Sequence, residues 1–134
     1  MNQNKAKGAL YEAKFRAEAM ENGLHVFDPA GDYLPVDFIL MNNAGRMFRV
    51  QVRGSAFSNR DGVRISLQCG NKKSAYLSSA TYDILAGYCV NYDLWYLVPS
   101  SLCEGLSRLK FYPHVENSRG KWEKYRSAWD VFSI

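Results

Sequence analysis

An acid, an amide and a cation, Asp37, Gln51 and Arg53, lie within PVDFILMNNAGRMFRVQVRGS (residues 35–55), in segments otherwise composed for burial. Burying polar groups costs free energy unless they are paired, so each of the three calls for a partner. Oxygens from Asp37 and Gln51 suit a hard divalent cation such as Mg²⁺, which takes few protein oxygens and keeps waters that a phosphate can displace. Arg53 can then hold the phosphate, because a guanidinium matches phosphate oxygens with a planar fork. The plain alternative is a salt bridge between Asp37 and Arg53 on neighbouring strands.

Those side chains must be positioned by a hairpin. NNAGR separates two β-prone runs, Val36–Met41 and Met47–Arg53, and is a tight-turn sequence. With the turn centred near Ala44, Asp37 faces Gln51 and Met41 faces Met47. Alternation along strands then sends Asp37, Ile39, Arg49, Gln51 and Arg53 to one side, and Val36, Phe38, Val50 and Val52 to the other.

Upstream, Asn4–Asn22 is rich in helix formers, with an Asn cap at its start and Asn22-Gly23 as its stop. Ala6, Ala9, Leu10, Ala13, Ala17 and Met20 form an apolar stripe at helical spacing, expected to cover a sheet. Phe15 and Ala19 form a second strip. Glu12, three residues before Phe15, shares that strip, which places a carboxylate beside buried surface.

The rest of the chain reads as further short elements. Leu24–Phe27 is a strand, DPAGDYLP a turn-rich connection, and Val63–Gln68 a strand with Val63, Ile65 and Leu67 on one face. CGNKKS is a polar loop, and residues 76–82 form a short helix or turn. Ile84–Val90 and Leu94–Val98 are buried strands around the NYD turn, ended by Pro99; SSLCEGL is a helical turn, RLKFY a strand and ENSRGK a loop. Lys121–Phe132 reads as a terminal helix, with Trp122 and Trp129 as core anchors. With no repeat, low-complexity tract or linker, residues 1–134 are expected to form one domain.

Composition narrows the class. The chain of 134 residues is 47% hydrophobic and 14% aromatic, enough for a substantial core. It has no apolar run of the roughly 18–20 residues that span a bilayer, and MNQNKAKG lacks a signal peptide's apolar stretch, so a cytoplasmic address without a membrane partner is expected. Cys69, Cys89 and Cys103 lack metal or disulfide spacing and read as reduced and structural. His25 and His114 have no partner at ligand spacing. The net charge of +4 and pI of about 9.0 lean towards a polyanion. Tyr88, Tyr92, Trp95 and Tyr96 would stack bases if exposed, but strand alternation assigns at least half of them to the core.

Asp37 followed by Gln51-Val52-Arg53 resembles the signature of the PD-(D/E)XK nuclease superfamily, in the variant with Gln for the second acid. Lys7-Gly8 with Glu12 resembles that superfamily's first-helix pattern, and Pro35 lies one residue further from the aspartate than in a strict PD. YDILAGYCVNYDLWYLVP (82–99) and YRSAWDVF (125–132) are similar to the later strands and terminal helix of small intron-encoded (homing) endonucleases and Holliday-junction-resolvase-like members.

The resemblance implies a restriction-endonuclease-like α/β (α+β) core, a central mixed sheet carrying the site hairpin, flanked by N- and C-terminal helices. It makes Asp37 the main metal ligand, with Gln51 and the Val52 carbonyl beside it and Glu12 approaching from the helix. Arg53 stands at the usual lysine position; it can stabilise phosphate charge but, staying protonated, cannot act as a base. The implied cofactor is Mg²⁺, with Mn²⁺ as a substitute, and the implied chemistry is phosphodiester hydrolysis in double-stranded or branched DNA. Lys7, Arg64, Lys72 and Lys73 become candidate DNA contacts, where the plain reading is a solvated patch. The leading expectation is a site-specific endonuclease, homing or restriction-like, in a bacterial or phage-infected cell. Its alternatives are a Holliday junction resolvase and a DNA-binding protein that keeps the fold without catalysis. A binding module for something other than nucleic acid would follow if the basic residues were dispersed. Cutting two strands needs paired sites, so a homodimer or homotetramer is expected.

Overall fold

The computed structural model describes residues 3–31, 34–56, 62–69, 75–115 and 119–133. One helix, α1 (Gln3–Glu21), leads into β1 (His25–Phe27), β2 (Phe38–Met41), β3 (Met47–Ser55), β4 (Val63–Ser66), β5 (Ile84–Cys89), β6 (Leu94–Pro99) and β7 (Arg108–Phe111). Short 3₁₀ turns cover Val90–Tyr92, Ser100–Leu102, Glu123–Tyr125 and Trp129–Phe132. The main sheet has the order β1-β2-β3-β5-β6, and β4 pairs with β7 in a separate two-stranded ribbon. Within the main sheet β3 and β5 run parallel, while the other neighbours are antiparallel. This is the mixed sheet with an N-terminal helix that the sequence leads one to expect.

The hairpin register within β2 and β3 is also as expected. Phe38 faces Val50 and Met41 faces Met47; the expected pairing of Asp37 with Gln51 is not kept, because the strand begins at Phe38 and the Asp37 N–H donates to Val50 O at 3.0 Å. The turn is built by Asn42, whose buried side chain accepts the Ala44 and Arg46 N–H groups at 3.0 Å each and donates to the Phe132 carbonyl at 2.8 Å. Gly45 takes the positive φ of 87° that the turn requires. A single asparagine thus sets the local register and ties it to the far end of the chain.

Two cores lie on opposite faces of the sheet. Phe15 and Ala19 of α1 and Phe132 pack on Phe38, Leu40, Val50, Val52, Ala86 and Leu97. On the other face Val63, Ile65, Leu109 and Phe111 of the ribbon pack with Leu85, Tyr96, Val98 and Trp122. Covered on both sides, β5 is buried at all six positions, as a central strand in a parallel pair should be. Among the described residues no helix is long and apolar enough to cross a membrane, and Cys69, Cys89 and Cys103 are free thiols.

Three expectations change, and the choice between helix and turn at residues 76–82 is decided. The long apolar stripe of α1 faces outward: Leu10 and Met20 are 51% and 60% exposed, whereas Phe15 and Ala19 are fully buried. The sheet presents an aromatic recess in which Phe15 meets Phe38, Trp95 and Trp129 at centroid distances of 5.3–5.6 Å. An alanine-rich stripe cannot fill that recess. The helix then ends in a Schellman motif, Leu24 N–H bonding to Ala19 O and Gly23 N–H to Met20 O, with Gly23 at φ 78°.

Val36 packs with the opposite core from Phe38, because β2 starts only at Phe38 and strand alternation does not extend back to it. The 76–82 segment is a turn, closed by the Thr81 N–H on Ser78 O. Finally, the expected terminal helix is two 3₁₀ turns, interrupted where Ser127 takes φ 49° and donates to Trp95 O at 2.8 Å. Arg126 there bridges to Tyr96 of β6. Trp122 and Trp129 accordingly enter different cores, a division that one continuous helix would not allow. Tyr88, Trp95 and Tyr96 are buried core residues, and only Tyr92 of that aromatic group is exposed.

Candidate active site

The carboxylate at the start of the hairpin is held by β3 through both its backbone and its side chain. Asp37 N–H donates to Val50 O at 3.0 Å, and Asp37 Oδ2 accepts the Val52 N–H at 2.7 Å. Because α1 turns its Phe15 strip to the sheet, Glu12 comes down one helical turn away, on the same side as Asp37. A cleft of ≈ 530 Å³ opens between α1 and β3, lined by Lys7, Gly8, Tyr11, Glu12, Asp37 and the run from Val52 to Ala56. A neighbouring recess shares Glu12 and Asp37 and adds Asp28.

Electrostatics mark the pair. Burial pushes the Glu12 carboxyl above its ordinary value, helped by the nearby Asp37 and Asp28 carboxylates and opposed by Arg16 and Arg53. Burial likewise raises Asp37, against the Val52 N–H and Arg53. Two partly desolvated carboxyls, each held up in pKa, favour a bound cation that would relieve both.

Gln51 occupies a different position from its neighbours. It is 5% exposed, its Nε2 donates to Pro35 O, and its Oε1 accepts from Arg53 Nη1 at 3.3 Å. The same Nη1 lies 3.2 Å from the Val52 carbonyl. Arg53 therefore bridges the two neutral oxygens that the family pattern assigns to a metal. Of the expected site residues, Lys7, Glu12, Asp37, Val52 and Arg53 line the cleft, while Gln51 stands behind its wall. Arg49, placed by alternation beside them, is engaged elsewhere: its Nη2 pairs with Asp83 Oδ1 at 3.1 Å and its N–H donates to Asp83 Oδ2 at 2.7 Å. Arg64 sits on the outer face of β4, and Lys72 and Lys73 lie outside the described residues.

Two contributors escaped sequence reasoning. Tyr11 lies flat against β3, where a Cβ on Gly54 would meet its ring carbons at 2.5 Å; the glycine following Arg53 was the available signal. Asp28, which pairs with Arg16, lies in a turn-rich connection whose fold-back could not be read locally.

Among the described residues no three His, Cys, Asp or Glu side chains gather closely enough to form a metal cluster. The oxygens lining the cleft are instead the two carboxyls of Glu12 and Asp37 and the Val52 backbone, hard ligands few in number, which fits a cation that retains much of its water.

A helix carboxylate, a strand-start aspartate and a cation two residues past the amide, gathered on a mixed sheet, define a nuclease of the restriction-endonuclease-like class. Residues 1–132 match the PD-(D/E)XK endonuclease family, and the chain belongs to it. Among solved structures it is similar to the bacterial homing endonuclease I-Ssp6803I, with a TM-score of 0.78 and 21% identity over 99% of this chain and 94% of that one. No curated protein sequence matches the chain.

Proposed function

We propose that the chain is, as a single nuclease domain, a Mg²⁺-dependent endonuclease that hydrolyses phosphodiester bonds of double-stranded DNA at a specific site. The observation that carries this reading is the convergence of Glu12, Asp37 and Arg53 on one cleft. Asp37, Glu12, the Val52 carbonyl and Gln51 Oε1 would hold Mg²⁺, or Mn²⁺ in its place. When bound, such an ion supplies Lewis acidity towards the phosphate and lowers the pKa of water. Arg53 contributes a fixed positive charge to the developing phosphate oxyanion. Because arginine stays protonated, Arg53 takes no proton from the attacking water, and its part is confined to charge. Lys7 at the cleft rim adds phosphate attraction. Cutting both strands requires a second site, supplied by a symmetric copy in a dimer or tetramer.

A second reading is favoured by one observation. Arg53 Nη1 sits on both Gln51 Oε1 and Val52 O, where a cation would otherwise be expected, as in a DNA-binding protein that has exchanged its metal for an arginine. A plasmid-nicking assay separates the two. The enzyme reading expects nicked and linear product with Mg²⁺ or Mn²⁺ and none with EDTA. Retained DNA binding with no cleavage in either metal, on duplex or four-way junction, would overturn it in favour of the binding protein.

A further inference from the structure

The two-stranded ribbon stands apart from the cleft, and its outer face is chemically one-sided. β4 and β7 pair antiparallel, Arg64 opposite Lys110 and Ser66 opposite Arg108. Val63, Ile65, Leu109 and Phe111 point inward and are buried. Their packing on β5 is tight, since a Cβ on Gly87 would lie 3.0 Å from Phe111 and 3.1 Å from Ile65. The ribbon is thus seated on the sheet, and its other face is left to solvent. Arg64, Ser66 and Arg108 are exposed there, with Lys110 half-buried. No acid occurs in residues 62–69 or 105–115, and among the described residues neither Arg64 nor Arg108 is in an ion pair.

Like charges placed directly opposite on paired strands are destabilising. Arg64 facing Lys110 is such a pair, and a polyanion laid across the ribbon would remove the penalty. The shape agrees: the major groove of B-form DNA admits a two-stranded β-ribbon, and arginine and glutamine are the side chains that read guanine and adenine edges there. Arg64, Ser66, Gln68 and Arg108 border one shallow groove on this face. From Arg64 to Gln68 a strand advances about 13 Å, the rise of about four base pairs. β4 also packs against β3, the strand that carries the cleft.

We infer that the outer face of the β4–β7 ribbon docks in the major groove of the DNA being cut and reads its bases, Arg64 and Arg108 contacting guanines. This assignment rests on the nuclease reading and adds to it the residues that choose the sequence.

The test is selection from a random-sequence duplex library in EDTA, so that no strand is cut, with wild type, Arg64→Ala and Arg108→Ala. Wild type should enrich a motif. Each variant should lose preference at one or two guanine positions, by about ten- to a hundredfold, and Arg64→Ala should keep an unchanged or higher thermal midpoint because the cation facing Lys110 is gone. An unchanged motif with uniformly weaker binding would show a backbone contact and overturn base reading. An unchanged motif with unchanged affinity would remove the ribbon from the interface. Wild type binding DNA without enriching any motif would also overturn base reading. Wild type binding no DNA at all would sink the nuclease reading itself, and the ribbon assignment with it.

Discussion

Arg126 and Arg53 both sit at the margin of the core, yet among the described residues one is saturated with partners and the other is not. Arg126 spends its fork on Glu123, at 2.9 and 3.1 Å, and on the carbonyls of Tyr112, Pro113 and Val115, at 2.9–3.2 Å. It staples the loop after β7 to the terminal segment. Arg53 makes two long contacts from a single nitrogen to neutral oxygens, while the carboxyls beside it are held up in pKa. Where every donor is matched to an acceptor, the charge is structural. Where charges sit close but poorly paired, the region is prepared for something that arrives later, as functional sites commonly are.

The contrast breaks most visibly at Asp37. Asp37→Asn should lower plasmid cleavage by about 10³-fold or more, on the scale of losing a principal electrostatic group, yet leave folding intact, because the amide oxygen can still accept the Val52 N–H. Cleavage at the wild-type rate would remove Asp37 from the site. Arg53→Ala should cost about 10²-fold in rate, and Arg53→Lys should retain part of it, keeping the charge but not the fork. If the wild type is inert and Arg53→Lys cuts, the arginine marks lost catalysis.

Arg126→Ala should act on stability instead. Stripping Glu123 and three carbonyls of their donor is expected to cost about 3 kcal/mol in denaturant unfolding; a change below ~1 kcal/mol would mean that the staple is redundant. The smallest effect concerns pH. A carboxyl whose folded pKa is raised binds more protons folded than unfolded, so its contribution to stability declines as pH rises from the ordinary carboxylate range through the raised value. Metal-free Asp37→Asn should therefore gain thermal stability over wild type progressively across that window, and the gain should shrink when Mg²⁺ is added to wild type. A difference independent of pH would contradict the burial of an ionised Asp37. Asp83 runs the other way: against the upward push of burial, its bonds to Arg49 hold it below its usual value, so its stabilisation is lost as pH falls through that lowered pKa.

The chain order of strands and the hairpin register from Phe38 to Met47 were legible in the sequence by itself, because a turn a few residues long sets register and the two-residue period does the rest. Glu12's approach was legible too, through its spacing from Phe15. Tertiary structure decided what depends on distant partners. The recess formed by Phe38, Trp95 and Trp129 chose the face of α1, and the bridge from Arg126 to Tyr96 split the terminal segment into two turns. The buried Gln51 depends on the Pro35 carbonyl that takes its amide, and the β4–β7 pairing joins residues more than forty positions apart. Periodicity describes which residues can share a face; which face meets the core is settled by the shape and chemistry of segments that local pattern does not contain.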